Sequence, residues 1–171
     1  VGTPQGGNLS PLLSNIMLNE LDKELEARSL HFVRYADDCV IAVGSSAAAN
    51  RVMKTITKWI EKKLGLKVNM TKTKVTRPTQ LKYLGFGFVK MGDKWEARPH
   101  KESIQSFERK LKRLTNRSWS ISMDERIQRL NWVIRGWINY FRIGKMKNQL
   151  IRIDGHLRTR MRIVIWKQWK T

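Results

Sequence analysis

Asp37 and Asp38 stand side by side between two β-rich apolar runs, Phe32-Val33-Arg34-Tyr35 and Cys39-Val40-Ile41-Ala42-Val43. Adjacent carboxylates repel, more so when partly desolvated. A divalent cation removes that cost. Carboxylates and water suit Mg²⁺, which takes one or two protein acids together with substrate phosphates. An Asp-Asp pair by itself also reads as a solvated turn, because acids are poor in strand interiors and good in tight turns. The other reactive side chains carry less. His31, His100 and His156 lack metal-ligand spacing, and the lone Cys39 reads as a small buried hydrophobe in a strand.

The elements that position the two acids follow from periodicity. Ser10-Pro11 reads as an N-cap and first helical position, and Leu13, Met17, Leu21 and Leu25 recur every four residues, predicting a helix of roughly 15 residues. His31–Gly44 reads as a β-hairpin with Ala36-Asp37-Asp38 at its turn. Ser45 or Ser46 can cap a second helix with Val52, Ile56, Trp59, Ile60 and Leu64 on one face and Gly65 at its end. Leu81–Val89 and Lys94–Arg98, joined through Met91-Gly92-Asp93, read as a further pair of strands.

From Arg98-Pro99-His100 onward the period is helical. Ile104, Phe107, Leu111 and Leu114 mark one amphipathic helix, and Ser122-Met123-Asp124-Glu125 is a capping-box pattern. Ile127, Leu130, Ile134, Trp137, Ile138 and Phe141 follow until Gly144. A third helix spans about Asn148–Lys170, with Gly155 a weak point inside it. Trp132, Trp137, Tyr140 and Phe141, at helical spacing, read as core. The reading is an α+β chain with antiparallel strands and helices over 1–98 and an all-α three-helix bundle over 99–171.

The 171 residues include 34 Lys+Arg against 14 Asp+Glu, a formal charge of +20. Residues 1–92 hold 14 basic and 7 acidic side chains, and 93–171 hold 20 and 7. With 41% hydrophobic residues and seven Trp, the chain is too rich in core formers for a disordered basic tail. One cysteine excludes a disulfide framework or a cysteine-cluster zinc site. No apolar run approaches the ~20 residues of a membrane span. The expected partner is therefore a polyanion, nucleic acid ahead of a membrane surface, and the expected setting is inside a cell. Arg126, Arg129, Arg135, Arg142, Arg152, Arg158, Arg160 and Arg162 belong to this basic surface, with Arg158 and Arg162 sharing a helix face and Arg160 pointing elsewhere.

Arg34-Tyr35-Ala36-Asp37-Asp38 resembles the signature of reverse transcriptases, in the strand–turn–strand context that family uses. Other blocks match in the same order. Gly2-Thr3-Pro4-Gln5-Gly6-Gly7 with Leu9–Asn15 resembles the Gln-Gly loop and the helix after it. Gly65-Leu66-Lys67-Val68-Asn69 with Lys72-Thr73-Lys74 resembles a later palm segment, and Tyr83-Leu84-Gly85-Phe86 the primer-grip turn. Gly136–Arg142 and Ile165–Lys170 resemble the thumb, or maturase, region of group II intron reverse transcriptases.

The resemblance implies a partial right-hand polymerase palm over 1–98 followed by a thumb/maturase domain over 99–171. It implies an RNA-directed DNA polymerase using two Mg²⁺ ions, with Asp37 ligating metal and Asp38 ligating or supporting it. Tyr35 and Ala36 would lie near the primer terminus, and Gln5, Gly6 and Gly7 would border the incoming deoxynucleotide triphosphate. Lys72 would neutralise or protonate the leaving pyrophosphate, a role for which Lys74 competes and against which stands a merely solvated lysine. Leu84, Gly85 and Phe86 would form the primer grip. Arg135, Arg142, Arg158 and Arg162 would contact structured intron RNA, beside an RNA template and DNA primer.

The family's further metal-binding Asp precedes the Gln-Gly loop, and Val1-Gly2-Thr3-Pro4 reads as a cut into a longer chain. The expectation is hence a carboxy-terminal part that is inactive alone and that self-associates or pairs with an upstream segment. The parent protein would be bacterial cytoplasmic or organellar and not secreted. The rival expectation is a non-enzymatic RNA-binding splicing factor.

Overall fold

A computed structural model describes residues 7–169, so Gln5 and Gly6 lie outside the described residues. The chain forms two compact units, Val1–Thr76 and Arg77–Thr171. Both contain helix and antiparallel strand, and the architecture is α+β with five helices and two small sheets among the described residues. The compact units divide at Thr76/Arg77, ahead of the change of period at Arg98-Pro99-His100, because the second sheet packs with the helices that follow it.

In the first unit, α1 (Ser10–Ala27) leads into β1 (His31–Tyr35) and β2 (Asp38–Ala42), then α2 (Ser46–Trp59), which runs on through one π-helical turn, Ile60–Leu64. The start of α1 differs from expectation. Ser10 is already helical, Leu9 holds the N-cap position without a side-chain bond, and Pro11 sits in the first turn. The helix is 18 residues long, and its apolar stripe is buried only in its second half. Leu21 and Leu25 are buried, whereas Leu12, Leu13, Ile16 and Met17 are exposed, since no described residue of this unit covers the first turns.

Phe32, Cys39 and Ile41 from one hairpin face and Val52, Ile56, Trp59, Ile60 and Leu64 from the next helix close on Leu21 and Leu25. Burial of Leu21, Leu25 and Ile56, the buried members of this cluster, is worth about 1.5–3 kcal/mol each. Ser45 Oγ accepts the Ala48 amide at 3.1 Å to start α2, and Gly65, at φ +65°, ends its extension in the left-handed conformation.

In the second unit, β3 (Lys82–Tyr83), β4 (Phe86–Met91) and β5 (Lys94–Pro99) form an antiparallel sheet in that order. The run Leu81–Val89, expected as one strand, is broken by a two-residue turn at Leu84-Gly85, so the pair is a three-stranded meander. Helices α3 (Lys101–Leu114), α4 (Met123–Phe141) and α5 (Lys147–Trp169) follow. Ser122 Oγ caps α4 by accepting the Glu125 amide at 3.1 Å, while the Glu125 carboxylate turns to Arg129. Gly155 does not interrupt α5.

Phe107, Leu111, Leu114, Leu130 and Ile153 are the buried centre of the bundle. Phe86, Phe141 and Met146 form a second cluster between sheet and helices. Three residues depart from their expected places. Trp132 at 66% and Tyr140 at 54% are exposed rather than core, and Arg126 is 1% exposed rather than on the basic surface.

Candidate active site and nucleic-acid interface

The β1–β2 hairpin has a two-residue turn, Ala36-Asp37, so Asp38 is the first residue of β2 and pairs across the sheet with Tyr35. Opposed residues of an antiparallel pair share a face. Tyr35 and Asp38 therefore lie on the outer face with Val33, and Phe32, Arg34, Cys39 and Ile41 lie on the inner one. The tip thus brings together Tyr35, Ala36, Asp37 and Asp38, all exposed.

Ala36 has φ +53°, a left-handed conformation that hairpin turns normally assign to glycine or asparagine. The Ala36 carbonyl is bonded to Arg34, an inner-face residue outside the expected site positions. Its Nε and Nη2 donate to Asp22 Oδ1 and Oδ2 at 2.7 and 2.5 Å, a two-pronged pair onto α1. Its Nη1 donates to Asn15 Oδ1 at 3.0 Å and to the Ala36 carbonyl at 2.8 Å. The signal was legible in principle: a charged residue sharing a strand face with Phe32 must find a partner below it. Beside this pair the Cys39 thiol is pushed up to about 11, first by burial and then by the Asp22 charge, with Arg34 opposing.

Neither the Asp37 nor the Asp38 carboxylate takes a hydrogen bond or ion pair among the described residues. Two adjacent, solvent-facing, unpartnered carboxylates are a hard oxygen donor set that fits Mg²⁺, with waters and substrate oxygens completing its shell. No group of three or more His, Cys, Asp or Glu residues that could hold a metal occurs among the described residues.

The remaining expected positions sit on other segments. Gly7 precedes α1, and its carbonyl accepts the Ser10 amide at 3.1 Å. Lys72 is exposed in a turn built on Asn69, whose backbone carbonyl accepts the Lys72 amide at 3.1 Å, and no hydrogen bond or ion pair joins Lys72 to the hairpin tip. Lys74 is likewise exposed.

In the second unit, Leu84 (φ +47°) and Gly85 (φ +79°) make a turn with both residues left-handed, as two-residue hairpins favour. The Leu84 carbonyl accepts from Tyr140 Oη at 2.9 Å, and the Gly85 carbonyl from Ser103 Oγ at 2.8 Å and the His100 amide at 2.9 Å. Phe86 is buried and stacks on Tyr140. Of the three, Phe86 supports the turn from inside rather than facing solvent.

Arg135, Arg142, Arg158 and Arg162 are all exposed, and Arg158 Nε donates to Asp154 at 2.8 Å. Arg160 does point elsewhere: its Nε donates to Thr115 Oγ1 at 2.6 Å and its Nη2 to the Lys112 and Thr115 carbonyls at 3.2 Å. Arg126 bonds the Leu114, Asn116 and Trp119 carbonyls, and burial pulls its guanidinium below its ordinary value. Both arginines thus serve the carboxy-terminal end of α3.

No helix among the described residues is long and apolar enough to cross a membrane. A family model for reverse transcriptase (RNA-dependent DNA polymerase) matches residues 1–88, and one for the group II intron maturase-specific domain matches 104–171. Protein YkfC of Escherichia coli K12 is 32% identical over 53% of this chain and 31% of its own length. The "Putative COX1/OXI3 intron 2 protein" of Saccharomyces cerevisiae is 25% identical over 59% of this chain and 18% of its own. The chain thus spans about a third or less of the curated relatives it matches. With a reverse transcriptase match over half the chain followed by a maturase-specific match, this chain belongs to the reverse transcriptase family, in its group II intron maturase branch.

Proposed function

We propose that the chain supplies the acidic turn, primer-grip turn and RNA-binding helices of an intron-encoded RNA-directed DNA polymerase that also assists splicing. The observation that carries this reading is the pair of unpartnered, exposed carboxylates on a hairpin tip tied to α1 through Arg34. Asp37 and Asp38 offer carboxylate oxygens to Mg²⁺, which when bound lowers the pKa of a primer 3′-hydroxyl and offsets the charge of in-line displacement. Two acids are fewer ligands than a two-ion site takes, so nucleotidyl transfer is assigned to the whole parent protein.

Tyr35, on the face of Asp38, gives the primer-terminal nucleotide a ring to rest on, with Ala36 beside it. Gln5, Gly6 and Gly7 border the deoxynucleotide triphosphate, and Lys72 its pyrophosphate. Leu84 and Gly85 steady the primer, with Phe86 beneath them. In this reading residues 1–98 act as palm and 99–171 as thumb, a functional division distinct from the compact units. The exposed apolar residues of α1 and the hairpin's outer face support contact with a further protein segment or a second copy.

The second reading, a splicing factor without polymerase activity, draws on the charge excess of the helical half and the exposed Arg135, Arg142, Arg158 and Arg162. One experiment separates them. Asp37→Ala with Asp38→Ala in the full-length protein should abolish primer extension while intron RNA binding and splicing persist. Extension at the wild-type rate by the double variant would remove the polymerase assignment of these acids.

A further inference from the structure

We propose that Arg34 is a positioning residue for the acidic turn: anchored on α1 by Asp22 and Asn15, it holds the Ala36 carbonyl and so fixes the backbone from which Asp37 and Asp38 project. The inference rests on the reading that these two acids do the chemistry. Its geometry stands on the four hydrogen bonds of one guanidinium, 2.5–3.0 Å long, whose side chain is 12% exposed.

The turn does not hold itself. Ala36 at φ +53° carries a Cβ where glycine would carry none, and such backbone persists only when its surroundings over-determine it. A solvated hairpin tip offers little such support. Arg34 supplies it from the helix: the fork onto Asp22 fixes the guanidinium plane, and Nη1 is then aimed at both Asn15 and Ala36. Asn15 and Asp22 lie seven residues apart, two turns along one face of α1. That helix is seated in turn by Leu21 and Leu25 in the core. The chain of contact runs from core to helix to guanidinium to turn carbonyl. Lysine cannot replace this, because an ammonium has no planar fork to bridge a carboxylate and a carbonyl at fixed angles.

A simple packing pair between hairpin and helix would use the same Arg34–Asp22 contact, so the test must report on the turn itself. In the full-length protein, Arg34→Lys should lower kcat at least tenfold with the deoxynucleotide KM within threefold. Ala36→Gly relieves the need for support, because glycine takes positive φ unaided. The loss caused by Arg34→Lys should therefore be at least threefold smaller in a protein already carrying Ala36→Gly. In this 171-residue chain, the Ala36 Cα and Cβ chemical shifts, which report its left-handed backbone, should move toward averaged values in Arg34→Lys.

Equal kcat losses with and without Ala36→Gly, or unmoved Ala36 shifts, would overturn the proposal. If Arg34→Lys fails to fold, Asn15→Ala carries the test. It removes one bond to the same Nη1, and a two- to fivefold fall in kcat at unchanged thermal midpoint supports the role, whereas unchanged kcat rejects it. Asp37→Ala distinguishes the two levels. Full activity in that variant defeats the reading of the acids, while loss there with none in Arg34→Lys defeats only the role of Arg34.

Discussion

Replacing Arg126 with Met tests whether this arginine belongs to the fold or to the charged surface. Its guanidinium is 1% exposed and donates to three main-chain carbonyls, Leu114 at 2.5 Å, Asn116 at 3.2 Å and Trp119 at 2.7 Å. The first of these is among the carbonyls that a helix end leaves without a partner, and the other two belong to the loop into α4. Met keeps most of the volume but offers no donor, so carbonyls that are buried around it lose their bonds. A hydrogen bond to a charged group is worth about 1.5–3 kcal/mol, and the three are not independent because they share one side chain. The desolvation that lowers the Arg126 pKa also subtracts from its net worth. A loss of about 3–5 kcal/mol is expected, which is roughly 15–25 °C for a unit of about 100 residues. Urea unfolding followed by fluorescence of Trp119, against whose ring Arg126 lies at 5.5 Å, reads it. Arg126→Met that folds within 1 kcal/mol of the parent protein would refute the capping argument. So would a flattened salt dependence of RNA binding in a folded variant, since that would return Arg126 to the phosphate-contacting set.

Gly85→Ala should destabilise the second unit by about 1–3 kcal/mol in chemical denaturation, since φ is +79° and a Cβ would lie 3.2 Å from Ser103 Oγ and 3.3 Å from Phe141; a neutral effect would contradict the turn geometry. Arg158→Gln with Arg162→Gln should leave the thermal midpoint in place and reduce the log–log salt slope of RNA binding by roughly two. Arg160→Gln should instead lower stability by about 1–2 kcal/mol through its lost bonds to Thr115 and Lys112, and the reverse pattern would exchange their roles. Cys39, raised to about 11, should react with a disulfide reagent at pH 8 at least tenfold more slowly than a free thiol. Because its folded pKa lies above the unfolded one, its contribution to stability is complete below about pH 9 and is lost as pH rises toward 11. Free-thiol reactivity at pH 8 would refute the burial.

The hairpin, the amphipathic faces of α2 and α3 and the cap at Ser122 were legible because each rests on local rules: alternation, helical period, a side-chain oxygen before a helix. Where the local pattern misled, a distant partner decided. Leu13 and Met17 obey the helical period as faithfully as Leu21 and Leu25, yet burial requires a neighbour, and among the described residues of this unit the covering side chains reach the second half of α1. Trp132 keeps the spacing of a core residue and points to solvent. Arg126, Arg158 and Arg160 have the same side chain on helices, but one is inside, one outside and one clamps a helix end. A rule built on residue type cannot separate them, since the carbonyls that bind Arg126 and Arg160 are main-chain groups with no signature in the sequence.

The two turns singled out by motif share a construction that the motif does not state. Ala36, Leu84 and Ser29 are the non-glycine residues with positive φ among the described residues, and the first two occupy the acidic turn and the Leu84-Gly85 turn. In each unit a side-chain donor reaches a strained turn's carbonyl: Arg34, itself anchored on α1, the Ala36 carbonyl, and Tyr140 of α4 the Leu84 carbonyl. Ser103 of α3 adds a bond to Gly85. A turn made from its own preferred residues would hold its shape wherever the neighbouring helix moved. Ala36 and Leu84 are not such residues, and their carbonyls are bonded to donors that the helices hold. A shift of the helix is therefore expected to reach the turn as a change in backbone angle. Under the role proposed for Asp37 and Asp38, that exchanges stability of the loop for precision of placement, which is the direction catalysis favours when misplacement of about 1 Å can cost roughly a hundredfold in rate.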